Sequence, residues 1–449
     1  MRREEEPARV QEAKQAGEIR ERWPWVEPAV WTDRMLSALE DGVKGGVWFS
    51  LIDKVSSRRN LEAAARKVIA NKGGAGVDRI SVRQFQKRLP EEIEKLRIAL
   101  RDGTYRPREI RRVFIPKPGS SGKRPLGIPT VRDRVVQTAL RNVLEPIYER
   151  TFAKRSYGFR PQRGCKDALR RVNELLKAGY TWVIDADLKS YFDTIAHESL
   201  MERVRERATD GRVLALIECF LNQPVLEELS TWTPEIGTPQ GAVISPLLAN
   251  IYLNPLDHEM AEGGYEMVRY ADDFVVLCKS KEEAHEALKQ IQAWVKQAGL
   301  TLHPDKTKVV QVTTEQGIEF LGYHFRRSKR HSQRINRWPR AKSLKNLRDS
   351  IRPKTHRSNG HSLSYIIAAV NPTLRGWFGY YKHTQPTGTF RGVDSWVRQR
   401  LRSILRRRRK RKGRSRGTDH VRWPNTFFAK HGLFTLTAAH AVASQSSRR

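Results

Sequence analysis

The chain has 449 residues, with 84 Lys and Arg against 49 Asp and Glu, for a formal net charge of +35. An excess that large asks for a polyanionic partner, either nucleic acid or an anionic membrane surface. No apolar run approaches the roughly 20 residues that span a bilayer, and MRREEEPARVQEAK at the start has no apolar signal core, so membrane proteins are set aside and nucleic acid in a cytoplasmic setting is preferred.

In chain order, residues 1 to about 56 are charged and helix-prone and end in GGVWFSLIDKV, a stretch suited to docking on something else. LEAAARKVIA puts Leu61, Ala64, Ala65, Val68 and Ile69 on one helical face, and NKGGAGVD stops it. VFIPKPGSSGKRPLGIP (113–129) predicts a basic hairpin. Its GSSGK is no P-loop, because no Ser or Thr follows Lys123 and Pro125 argues against a helix there. WVIDADLKSYFDTI (182–195) predicts a buried strand running into a turn. EIGTPQGAVISPLLANIYL (235–253) predicts a loop and a helix, with Ser245 as N-cap and Pro246 as first helical residue.

VRYADDFVVL (268–277) predicts a hairpin, followed by an amphipathic helix that buries Ala284, Leu288, Ile291 and Val295. Past about Arg326 the chain turns basic. SLSYIIAAV and LRGWFGYYKHT predict two helices broken at Asn371-Pro372, the second with a face of Leu374, Trp377, Phe378 and Tyr381. A third helix buries Val397, Leu401, Ile404 and Leu405 and runs into RRRRKRKGRSRG, a block too like-charged to fold without an anionic partner. The alternation of strands and helices is α+β. Cys165, Cys219 and Cys278 are too far apart to suggest a disulfide framework or a Cys-ligated zinc site.

The adjacent carboxylates Asp272 and Asp273 are the conspicuous feature. At about 4 Å and an effective dielectric near 20, two like charges cost on the order of 4 kcal/mol. A polar hairpin turn accommodates such a pair, and so does a divalent cation. A third carboxylate would favour the cation; Asp187 ends the apolar part of WVIDADL, with Asp185 and Asp193 as competitors by position.

DLKSYFD, GTPQGAVISPLLANIYL, YADD, GLTLHPDKTK and FLGY occur in this order, and together they resemble reverse transcriptases of the group II intron-encoded, maturase kind over roughly residues 60–405. The resemblance implies a right-hand polymerase, with a helical thumb that is also the maturase domain X and a small basic C-terminal module. It divides the chain into an N-terminal extension (1–59), fingers and palm (60–329), thumb (330–405) and a DNA-binding segment (406–449). It implies Asp187, Asp272 and Asp273 as catalytic residues, and two Mg²⁺ ions held by these three and Leu188. Lys117 and Arg124 would grip the incoming triphosphate. Phe192 would exclude ribonucleotides, and Gln240 and Gly241 would line the nucleotide pocket. Lys306, Lys308, Phe320, Leu321 and Gly322 would lie beside primer and template.

The expected partners are the parent group II intron RNA, target DNA and dNTPs, in the cytoplasm of a bacterium; nothing in the sequence sets an oligomeric state. The basic run Arg406, Arg407, Arg408, Arg409, Lys410, Arg411 and Lys412 is expected on nucleic acid, as part of a module separate from the polymerase. Trp338, Trp377, Tyr380 and Trp423 would stack on bases or fill core. No segment resembles a ribonuclease H or an HNH nuclease with paired cysteines, so target cleavage is not expected. The resulting expectation is an RNA-directed DNA polymerase that assists splicing of its intron and copies it during mobility. A splicing factor with an idle polymerase site and a reverse transcriptase recruited to defence are the alternatives.

Overall fold

The structure, a computed structural model, describes residues 19–43, 46–116, 122–227, 230–331, 334–413 and 415–446. It is α+β. Eleven strands among these residues are β1 (Ile110–Pro116), β2 (Lys123–Ile128), β3 (Trp182–Asp187), β4 (Val225–Glu227), β5 (Ser230–Trp232), β6 (Glu266–Tyr270), β7 (Asp273–Cys278), β8 (Lys308–Gln311), β9 (Ile318–Phe320), β10 (Tyr323–Arg327) and β11 (Ile335–Pro339). They form three sheets, ordered β2-β1-β4-β5, β6-β7-β3-β8 and β11-β10-β9. One compact unit comprises the chain up to Pro116, Gly122–Val172 and Ala186–Val309; the other takes Asn173–Asp185 and the chain from Val310.

In the first unit the expected helix runs Arg58–Ala70, with Ser57 accepting from the Asn60 amide. It packs on the helix Val131–Glu149. Between them the buried Asn60 donates to the Ala139 carbonyl at 3.0 Å, and Asn142 donates to the Asn60 side chain at 2.9 Å. The aromatic N-terminal stretch docks on this same core. Trp31 is fully buried and donates to the Asn142 carbonyl at 3.0 Å, and Asp210 accepts from the amides of Leu51 and Ile52.

The hairpin of β1 and β2 forms as expected, in register Phe114↔Pro125 and Ile115↔Arg124; its turn and Lys117 lie outside the described residues. Ser245 differs from expectation. It is the first residue of the helix Ser245–Glu262, and instead of capping it the hydroxyl donates to the Pro239 carbonyl at 2.9 Å, which ties the TPQG loop to the helix start.

The second unit departs further. Pro372 lies inside one continuous helix, Leu363–Tyr381. A proline there costs about 3 kcal/mol, and burial of Ile366, Ile367, Val370 and Leu374 on both sides of it offsets that. Asn371, read from sequence as part of a break, donates to the Gly432 carbonyl at 2.8 Å and accepts from the Phe434 amide at 2.9 Å.

Part of the basic block is built into the fold. The helix Gly388–Arg408 takes in its first three arginines. Arg406 is buried, paired with Asp419 at 2.9 Å, and donates to the Lys412 carbonyl. Trp423, Phe428, Leu433 and Leu436 join the cluster of Val397, Leu401 and Ile404, so no packing boundary falls at 405/406. Trp377 packs against that cluster, and Trp423 is buried within it.

Because Phe428 is fully buried in this shared core, Phe428→Ala is expected to destabilise the second unit by about 3–5 kcal/mol, read as a lower urea midpoint at unchanged slope. A separately folded tail would leave the midpoint of the helices before it where it was.

Candidate active site

The site is built around the β6–β7 hairpin. Tyr270 pairs with Asp273, so Ala271 and Asp272 form a two-residue turn, with Ala271 in the left-handed region at φ +61°. The polar-turn reading is thus correct as geometry: Asp272 sits at the tip and Asp273 opens β7. Behind the turn a Cβ on Gly158 would run into the Ala271 amide, so only glycine fits there.

Arg269, the residue before the motif, has no solvent exposure. Its guanidinium donates to the Ala271 carbonyl at 3.0 Å, to Asn250 at 3.0 Å, to the Ser156 hydroxyl at 2.9 Å and to both oxygens of Asp257, one of them at 2.7 Å. One cation therefore ties the turn to the helix Ser245–Glu262 and to the segment around Ser156. Sequence reading missed it, although an arginine inside the apolar run MVRYA was a visible signal.

Asp187 closes β3. Its carbonyl accepts from His303 at 2.8 Å, Lys189 donates to the Thr301 carbonyl at 2.8 Å, and Leu188 bridges Leu302. These two bonds do not use the Leu188 carbonyl. They fix HPDK beside Asp187, and the Lys306 ammonium donates to the Asp187 carboxylate. Burial, then the nearby Asp187 carboxylate, push Asp272 above the usual carboxylate range, against the pull of Arg124 and Lys306. Asp187 and Asp272 thus share one electrostatic site with two cations.

Arg124 also donates to the Gln240 side-chain oxygen at 3.3 Å, and the Gln240 amide donates to both oxygens of Asp193 at 3.0 and 3.1 Å. Asp193, a competitor for the carboxylate role by position, is Gln240's partner instead. Gly241 has φ +113°, and a Cβ there would meet the Gly127 carbonyl. The Gly127 amide donates to the Gln240 carbonyl at 2.7 Å, so strand β2 lies directly on this loop. Phe192, partly exposed, and Gln240 line a cavity of about 370 Å³.

Lys308 begins β8. Phe320, Leu321 and Gly322 belong to the second unit. There Phe320 is core, and the Leu321 and Gly322 carbonyls accept from the Tyr380 and Tyr381 hydroxyls. Within the basic run, Arg407, Arg408, Arg409, Lys410, Arg411 and Lys412 are exposed and Arg406 is not.

Residues 115–325 match the family model for reverse transcriptase (RNA-dependent DNA polymerase), and residues 344–423 match that for the group II intron maturase-specific domain. Protein YkfC of Escherichia coli is 38% identical over 311 residues, 60% of this chain and 81% of that one. The chain belongs to the group II intron reverse transcriptase–maturase family. The intron-encoded protein LtrA of Lactococcus lactis is 44% identical over 167 residues, 37% of this chain but 28% of its own length. An uncharacterised 91 kDa protein in a cob intron of Schizosaccharomyces pombe is 31% identical over 376 residues, 66% of this chain and 46% of that one.

With the family in place, the fold is that of a right-hand polymerase. Reverse transcriptase domains use a divalent metal. Among the described residues no three His, Cys, Asp or Glu side chains converge as a cluster that could hold a metal ion. The carboxylate pair nevertheless fits a cation in kind. Asp187 already carries an ammonium, and Asp272 is held against another negative charge. No helix among the described residues is long and apolar enough to cross a membrane.

The raised pKa of Asp272 gives a signed prediction. Its protonated form is favoured by the fold, so ionisation costs stability once pH rises through the folded value. In EDTA at neutral pH, Asp272→Asn should therefore unfold at a higher temperature than the native chain, the gain vanishing below about pH 4, where the carboxyl is protonated folded and unfolded alike. Added Mg²⁺ should stabilise the native chain more than the variant. A variant less stable than the native chain at neutral pH would refute the repulsion.

Proposed function

We propose that this chain is an RNA-directed DNA polymerase that binds its parent group II intron RNA, assists its splicing and copies it into DNA during intron mobility. The observation that carries the reading is the Asp187–Asp272 pair flanked by Lys306 and Arg124, in a chain with both reverse transcriptase and maturase matches. Phosphoryl transfer needs positioning and charge rather than a nucleophilic side chain, and this arrangement offers those.

Asp187, Asp272, Asp273 and the Leu188 carbonyl would hold two Mg²⁺ ions. When bound, the ions lower the pKa of the primer 3′-hydroxyl and neutralise charge on the triphosphate. Arg124 supplies cationic hydrogen bonds to the triphosphate, and in the free chain it donates to the side-chain oxygen of Gln240. Lys306, which pairs with Asp187 in the free chain, would be a second cation for the phosphates. Phe192 occupies the space a 2′-hydroxyl would need. The thumb with maturase function begins near residue 330 and, because the C-terminal segment shares its core, continues through the last helix. The exposed Arg407 and Lys410–Lys412 contact nucleic acid, target DNA included, through phosphates, which makes binding salt-dependent.

The decisive experiment is Mg²⁺-dependent extension of a DNA primer on an RNA template. Asp272→Asn is expected to reduce it by at least about 100-fold, the scale of losing electrostatic stabilisation of a transition state, while RNA affinity stays near native. Near-native extension would remove the metal assignment.

Phe192→Ala tests sugar choice. The ratio of kcat/KM for deoxynucleotide over ribonucleotide should fall by about 10-fold or more. An unchanged ratio would leave Phe192 as packing alone.

A further inference from the structure

The cavity at Phe192 and Gln240 has a second wall that the proposed chemistry does not use. Residues directly opposed in a pleated sheet share a face. The registers Arg112↔Gly127, Ile110↔Val225 and Val225↔Trp232 therefore put one face of the β2-β1-β4-β5 sheet against the segment 234–240, with about 370 Å³ between them. That volume is in the range of small-ligand sites, about 300–1,000 Å³.

The sheet face is aromatic and open. Trp232 is 44% exposed and Phe114 46%. The Arg112 guanidinium lies 5.6 Å from each ring centroid and pairs with Glu227 at 3.1 Å. This makes a ladder of flat groups, Trp232, Arg112 and Phe114, pinned by one carboxylate.

Charge selects the occupant. Among the described residues lining the cavity the one cation, Arg112, is neutralised by Glu227, and Asp193 and Glu235 also face this space. A triphosphate would be repelled there and drawn instead to Arg124 and Lys306. An uncharged flat group suits the walls, because nucleobases stack on Trp and on guanidinium planes whatever their identity.

We propose that this cavity seats an unpaired base of the template strand, the one next in line behind the base being copied. The inference rests on the polymerase reading in that the occupant is a template. That sheet then does more than close over the nucleotide: it holds the single strand in step with the site, through Trp232.

The test uses the full chain bound to DNA primers annealed to RNA templates with either one or several unpaired template nucleotides, and 2-aminopurine at the second unpaired position. The native chain should bind the longer overhang more tightly and quench the probe. Trp232→Ala should cut that preference by about 10-fold, the scale of one lost base–aromatic stack, and release the quenching, whereas Trp232→Phe should keep both. Trp232 is half exposed, and matching thermal unfolding of both variants certifies the fold.

Overhang preference and quenching that survive in Trp232→Ala overturn the proposal. So does a rise in the KM for dNTP at unchanged overhang preference, which would assign the cavity to the incoming nucleotide. Binding and quenching need no turnover. A native chain that shows both yet extends no primer would sink the polymerase reading while supporting a seat for single-stranded nucleic acid.

Discussion

A guanidinium entirely removed from water holds the carboxylate hairpin where it is. Arg269 is satisfied on every side by Asp257, Asn250, Ser156 and the Ala271 carbonyl. Stripping one partner from a buried ion pair costs about 3–5 kcal/mol, so the turn cannot drift without a large loss. The Tyr157 amide bonds the Arg269 carbonyl, and Gly158 leaves the turn no room to retreat. Asp272 thus stands on a rigid base before any substrate arrives, the condition under which fixed charges act most strongly on a reaction.

That rigidity explains how a site can hold two mutually repelling carboxylates inside a protein with 35 excess positive charges. Long-range attraction from the whole chain is screened within about 10 Å, so local partners decide. Asp187 has Lys306, Asp272 sits at a turn its backbone cannot leave, and Asp193 is occupied by Gln240. The three acids thus differ in what holds them: an ammonium for Asp187, a side-chain amide for Asp193 and the backbone of the turn for Asp272.

The elements around the site could be read from the chain because their signals are local. The alternation in VRYADDFVVL sets a hairpin, and SPLLANIYL sets a helix. What went unread depended on partners far away in sequence. Pro372 looked like a break until the surrounding core held the helix together, and the arginine block looked like part of a separate module until Asp419 paired with Arg406 and the residues after it joined the core of the helices before it. Ser245 looked like a cap because nothing local showed Pro239 folding back onto it. Arg269 is the converse case: its charge stood out among apolar neighbours, but its four partners come from three separate segments and no spacing rule joins them.

Beside the Arg124–Gln240 side-chain bond, strand β2 and the TPQG loop share a backbone contact, from the Gly127 amide to the Gln240 carbonyl, with Gly241 pressed against the Gly127 carbonyl. A side-chain scan would pass over it, since truncating Gln240 to alanine leaves that bond in place. The strand bearing Arg124 and the loop bearing Gln240 are therefore mechanically one piece. A ligand that pulls on the arginine also moves the glutamine's backbone, and only a residue that adds bulk at either glycine, or a change in loop length, could uncouple the two.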